Sequence, residues 1–168
     1  MWGYNSNMKN NMIQVFINGA VLDQVSDMPY ILLHTEDKKY TIPISVGPAE
    51  ATAIIMALEG IKTTRPLTHD LFVHFISMHN FKVLRIEIYE FINRKFYCKL
   101  LYKKGLRQFK IELRPSDGLA LAVRLGTPIY IKPDICKEAA GIMKMYETDR
   151  FLDPENIRFD VKMFDGEY

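Results

Sequence analysis

The sequence predicts an α+β fold, a single domain in which a mixed sheet with an antiparallel meander packs against about three helices. Three observations predict it. Apolar and polar residues alternate over 83–92, 96–102 and 106–113, and the joints Asn93-Arg94 and Lys103-Lys104-Gly105 are hairpin length. Proline stands at the start of three segments of helical pattern, at Pro48, Pro66 and Pro115. Helices and strands are mixed along the chain, yet the short connections make the meander antiparallel, which argues against a doubly wound parallel sheet. A chain of 168 residues can bury a core of its own without disulfide or metal staples.

The elements follow in order. Residues 1–11 are polar and Asn-rich and read as a loose terminus. A first strand is expected over 12–17, ended by a turn at Asn18-Gly19. Residues 29–35 are apolar, and Tyr40, Ile42, Ile44 and Val46 share one face of a second strand, with a polar hairpin between them. Pro43 lacks a ladder donor, so that strand belongs at an edge. The first helix runs from Pro48 to about Glu59, and Gly60 stops it. The second spans 66–78, with Arg65 or Thr68 near its N-cap and Leu67, Leu71, Phe75 and Met78 forming an apolar face. After the meander, Pro115 opens a third helix that ends at Gly126 and buries Leu119, Ala122 and Val123. A short strand over 128–131 and a last helix over 133–140 complete the domain at residue 141. Residues 142–168 are expected to form a charged peripheral tail.

Composition excludes several classes. No apolar run reaches the roughly 20 residues that span a bilayer, and the first residues do not resemble a signal peptide, so a cytoplasmic protein without membrane contact is expected. Cys98 and Cys136 read as free thiols, and no Cys-x-x-Cys zinc motif is present. The glycines follow no dinucleotide-binding or P-loop spacing. Charge is asymmetric. Seven bases and no acid lie between Arg94 and Lys110, whereas seven acids face four bases from Gly141 onward.

Two helix starts carry the chemistry. Arg65-Pro66-Leu67-Thr68-His69-Asp70 and Arg114-Pro115-Ser116-Asp117 each combine Arg-Pro, a hydroxyl and an aspartate. Helix N-termini present unpaired N–H groups and partial positive charge, and an adjacent Arg adds a fork of donors suited to phosphate. The same residues also serve ordinary helix starts, with the aspartates as caps and the arginines as their partners. His34, His74 and His79 read as structural or solvent-facing. The last two stand five apart on one helix, about 140° from each other, a poor metal-ligand spacing.

Four stretches resemble the bifunctional nuclease domain family: the two above, Ile42-Pro43-Ile44-Ser45-Val46-Gly47-Pro48-Ala49-Glu50-Ala51, and Ala122-Val123-Arg124-Leu125-Gly126-Thr127-Pro128-Ile129-Tyr130. They occur in the family's order and cover about 12–141. Glu112 stands where the family usually has Asp, and Gly118 where it has Ala. The resemblance implies cleavage of RNA and DNA. On that basis His69, Asp70 and Asp117 are the expected catalytic residues, and Arg65, Thr68, Arg114 and Ser116 the expected phosphate ligands. Glu50, Asp70, Glu112 and Asp117 are the expected holders of a divalent metal such as Mg2+, which prefers carboxylates. Lys99, Lys103 and Arg107, with Tyr97 and Tyr102 interleaved, are expected to form a nucleic-acid surface. A homodimer is expected from the free edge at Pro43. The rival reading is a non-catalytic dimeric interaction or regulatory module. The two are separated by whether His69, Asp70, Glu50 and Asp117 gather around one cleft.

Overall fold

The structure is a computed structural model and describes residues 12–23 and 26–146. Seven strands, β1 (Ile13–Leu22), β2 (Pro29–Thr35), β3 (Thr41–Ser45), β4 (Lys82–Ile92), β5 (Lys95–Lys104), β6 (Arg107–Leu113) and β7 (Ile129–Ile131), form one sheet in the order β3-β2-β1-β7-β4-β5-β6. The helices are α1 (Pro48–Leu58), α2 (Thr68–Met78), α3 (Pro115–Leu125) and α4 (Pro133–Tyr146). All strand pairs are antiparallel except β4 with β7. This is the expected α+β domain, its meander running β4-β5-β6 and Pro43 on an edge strand.

Two local expectations fail for physical reasons. Asn18-Gly19 does not turn the chain. The strand continues to Leu22 through a bulge between Ile17 and Gly19, and Gly19 at φ 135° takes the backbone shape that L side chains rarely adopt. The fourth helix does not stop at residue 140 but runs to Tyr146. Residues 1–11 and 147–168 lie outside the described ones. The expected apolar face of α2 is present and is turned largely to solvent. Only Ile76 of that helix is buried, while Leu71 is 65% and Met78 72% exposed.

The core forms where α3 crosses the sheet. Leu119, Leu121 and Ala122 of α3 join Ile54 of α1, Cys136 and Ala139 of α4, and Ile31, Leu33, Ile86, Ile88 and Ile131 of the sheet in one buried cluster. A helix buried on most of its circumference reads as apolar nearly all round, as Gly118 through Ala122 does. Gly118 is the point of closest approach. A Cβ there would stand 3.0 Å from Cys98 Sγ and 3.1 Å from Ile86 Cγ2. Burial pushes the Cys98 thiol up to about 12, so it is a packing atom and not a nucleophile at neutral pH.

Two opposing effects therefore meet at Gly118. Alanine is the better helix former by about 1 kcal/mol, but its methyl would press on Cys98 Sγ and Ile86 Cγ2, which must give way by a few tenths of an ångström. Gly118→Ala is expected to lower the unfolding midpoint, and the loss should shrink when Cys98→Ala opens the site. The coupling in a double-mutant cycle should be about 0.5–3 kcal/mol. Additive effects in denaturant titrations would show that this contact does not limit the approach of α3.

Candidate active site

The N-termini of α1, α2 and α3 converge, and a chain of ion pairs joins them. Each helix start is specified locally. Pro48 and Pro115 open α1 and α3, where a missing N–H costs nothing. At α2 the cap is Leu67, not Thr68 or Arg65. Its N–H donates to Asp70 Oδ2 at 2.9 Å, so the aspartate closes the first turn from within.

Arg114, the N-cap of α3, sits at the centre. Its Nε donates to Asp117 Oδ2 at 2.9 Å and its Nη2 to Asp117 Oδ1 at 3.1 Å, a two-pronged contact, while Nη1 lies 2.9 Å from Glu50 Oε1. These contacts leave two of the five guanidinium N–H donors, on a side chain that is 66% exposed. Glu50 can reach Arg114 because its carboxylate folds back over Gly47, where any Cβ would fall on Glu50 Oε2. On the far side of Asp117, His69 Nε2 lies 3.3 Å from Oδ1. An ionised carboxylate only accepts, so Nε2 carries the proton, and in the neutral ring Nδ1 holds the lone pair. Burial tends to raise the Asp117 carboxyl, but hydrogen bonds from Arg114 and His69 outweigh it and hold the group below its ordinary value.

Asp70 belongs to a second pair. Its Oδ1 accepts from Arg124 Nε at 2.6 Å, and Arg124 Nη1 donates to the Ala120 carbonyl at 3.1 Å. The Arg124 side chain is 9% exposed. Its partners make that burial tolerable. Burial pushes the Asp70 carboxyl up, while Arg124 and the Leu67 N–H pull it down further, so the net shift is downward. Sequence reasoning assigned Arg124 no role, although it lies within the Ala122–Tyr130 stretch that carries the family resemblance. Nothing in spacing alone pairs it with a residue 54 positions away.

The structure thus brings Glu50, His69, Arg114 and Asp117 together, with buried Ser116 beside them. The other expected site residues are elsewhere. Arg65 and Thr68 are exposed at the entry to α2. Glu112 lies on the opposite face of the sheet. Its neighbour Leu113 points to α3, while Glu112 accepts from the Tyr89 hydroxyl at 3.0 Å and pairs in register with Lys99. It cannot share a ligand with Asp117. Lys99 is on that far face too, with Nζ 3.0 Å from buried Glu87 Oε2, and Arg85 bonds the same carboxylate. Lys103 follows Lys99 by strand alternation, whereas Arg107, opposite Lys104, and Tyr102 point to the helix side. The basic hairpin is therefore split between two faces and forms no single surface.

A divalent metal does not fit the donors as arranged. Among the described residues, no group of three or more His, Cys, Asp or Glu side chains could hold an ion. Glu50 and Asp117 are held by Arg114, and Asp70 by Arg124.

A cleft of about 740 Å³ opens beside Arg114, and His69 does not line it. Glu50, Arg114, Pro115 and Ser116 line it from the helix starts. Phe91, Arg94, Lys95 and Phe96 line it from the β4–β5 hairpin, and Asp23, Met28 and Tyr30 line it from the region of β1 and β2. Asn93 and Arg94 both have positive φ, the backbone of a two-residue type I′ hairpin turn, which fixes the turn's cations at the rim.

Sequence comparison agrees with this architecture. The bifunctional nuclease domain model matches residues 31–144, and the chain belongs to that family. The uncharacterized protein Rv1829 of Mycobacterium tuberculosis is 32% identical over 138 residues, 82% of each chain. Bifunctional nuclease 2 of Oryza sativa subsp. japonica is 25% identical, and bifunctional nuclease 1 of Arabidopsis thaliana 22% identical. Both matches span 117 residues, 67% of this chain and 36% of the plant protein. Among the described residues, no helix is long and apolar enough to cross a membrane.

The two ion-paired aspartates should differ on mutation. Asp70→Asn retains an acceptor for the Leu67 N–H but leaves Arg124 buried with its charge uncompensated. Because Asp70 is itself about one-third exposed, a loss of about 1–2 kcal/mol is expected. Asp117→Asn should cost less, since exposed Arg114 keeps Glu50 and water. Both folded carboxyls sit below their unfolded values, so their stabilisation is present above the ordinary carboxyl range, about pH 3.9, and is lost as pH falls through the folded value. Urea titrations of wild type and Asp70→Asn should converge on acidification. A constant difference down to pH 2 would contradict the assignment.

Proposed function

We propose that the chain hydrolyses phosphodiester bonds in RNA or DNA, with His69 as general base and Arg114 as phosphate ligand. The observation that supports this best is the Arg114–Asp117–His69 chain of contacts, whose Arg114 lines an open cleft. Asp117 orients the imidazole by accepting from Nε2–H and leaves Nδ1 free to take a proton, as a carboxylate partner does in other acid–base dyads. A water attacks phosphorus, Nδ1 of His69 takes its proton, the bond to the leaving oxygen breaks, and that oxygen takes a proton from solvent. Arg114 lends its remaining N–H donors to the equatorial oxygens, where charge accumulates. Asp70 acts at one remove: it closes the first turn of α2 and so sets the position of His69. The membership of the plant proteins named as nucleases in the same family supports the reaction class.

The test is cleavage of labelled single-stranded RNA and DNA by the purified chain, run with Mg2+ and with chelator, since a cation can arrive on the phosphate itself. His69→Ala and Asp117→Asn should each lower the rate by about 10²–10⁴ while thermal unfolding confirms a folded protein. Equal cleavage by wild type and His69→Ala would point to a contaminating nuclease and overturn the reading.

One observation favours a second reading, a dimeric interaction module. The exposed face of α2 continues through ring contacts Phe75–Phe81, Phe81–Tyr102 and Tyr102–Phe109 to the open edge strand β6, where Phe109, Ile111 and Leu106 are exposed. Contiguous apolar surface beside an unpaired strand suits a second copy of the chain across a two-fold axis. Sedimentation should give a dimer at micromolar concentration, and Met78→Glu with Ile111→Lys should give a monomer. A monomeric wild type removes this reading.

A further inference from the structure

We infer that the cleft beside Arg114 is a binding subsite for one unstacked nucleotide, its base against Phe96 and its phosphate on Lys95 and Arg114. The inference deepens the phosphodiester reading above and rests on it for the position of the strand. Three observations carry it.

The first is size. About 740 Å³ accommodates a single nucleotide and falls within the range of small-ligand clefts. A stacked duplex cannot enter such a space, so the occupant is a base turned out of a strand or at its end. The second is the lining. Phe91 and Phe96 lie opposite each other in the β4–β5 register and pack with ring centroids 4.3 Å apart, tilted by 35°. Phe91 braces Phe96, and both line the cleft, with Tyr30 across from them. Aromatic faces at a cleft wall accept any base by stacking, without reading its edge. The third is charge. Lys95 and Arg114 both line the cleft, one on the hairpin and one at the helix start. Lys95 makes no ion pair with another described residue, and Arg114 retains N–H donors. An anion between them completes a set that an uncharged ligand would leave unused.

The arrangement also accounts for a cleft that Arg114 lines and His69 does not. A strand that places one base in the cleft runs its sugar–phosphate over the guanidinium. The neighbouring phosphodiester then falls on the His69 side. The cleft would thus select single-stranded over double-stranded substrates, and its selectivity would be independent of base identity.

The experiment uses the full chain and calorimetric titration with adenosine monophosphate, uridine monophosphate and inorganic phosphate. Both nucleotides should bind about tenfold tighter than phosphate, with little difference between them. Phe96→Leu keeps apolar volume in the wall and removes the stacking face. It should abolish most of that advantage and leave phosphate binding unchanged. Lys95→Gln should weaken all three. Equal affinity for phosphate and nucleotides, or nucleotide binding unchanged in Phe96→Leu, would overturn the subsite. The two readings fail separately. Phe96-dependent nucleotide binding with no cleavage leaves the subsite and removes the nuclease, whereas His69-dependent cleavage with Phe96-independent binding does the reverse.

Discussion

The approach of α3 to the sheet is the constraint on which the other features depend. Helix and sheet meet at Gly118, whose missing side chain lets the helix lie on Ile86 and Cys98. With α3 lowered onto the strands, both of its ends come within reach of the other helices. Its N-terminus meets Glu50 and His69, and Arg124 in its last turn meets Asp70. A methyl group at Gly118 is expected to disturb those three contacts together, because a close-packed core transmits small displacements without absorbing them.

Electrostatics at the site is a matter of assignment more than of strength. Two arginines and three carboxylates could pair in several ways along these helix ends. Arg124 is nearly buried and takes Asp70 with the Ala120 carbonyl, an arrangement in which a charge can be tolerated away from water. Arg114 is mostly exposed and shares itself between Glu50 and Asp117. Exposed pairs of this kind contribute little to stability because water competes for them. For the same reason they exchange readily, and Arg114 can turn its donors to an anion at small cost. The buried pair holds the scaffold, and the exposed one faces the cleft.

The far face of the sheet follows a different logic. Glu87 is buried there and collects Arg85 and Lys99, with Lys99 also over the Tyr89 ring, 4.9 Å from its centroid. A strand-by-strand count of positive charge treats Lys99 as free to meet a nucleic acid, but a cation that satisfies a buried carboxylate is not available to a ligand. The face of α2 poses the converse case. Helical periodicity identified Leu71, Phe75 and Met78 as one stripe, and they are one stripe. Periodicity reports that apolar residues share a side of a helix. It cannot report whether that side meets the core or remains exposed.

Much of the fold was legible without coordinates because it rests on local rules. Strand alternation, the Asn93-Arg94 turn, the prolines at 48 and 115 and the edge position of Pro43 follow from backbone geometry within a few residues. The two Arg-Pro segments were likewise legible as helix starts, and His69, Asp70 and Asp117 were singled out by the family resemblance without any indication of which would meet. What tertiary structure alone decided is which residues separated by 48 or 54 positions face each other. It set Arg124 on Asp70, turned Glu112 and Lys99 to the far face, and opened the cleft at Phe91 and Phe96. The physical reason is range. Local dihedral and capping preferences act over a turn or two of chain. The pairing of side chains across helices depends on how closely α3 settles on the sheet, and only the packing of the whole core determines that.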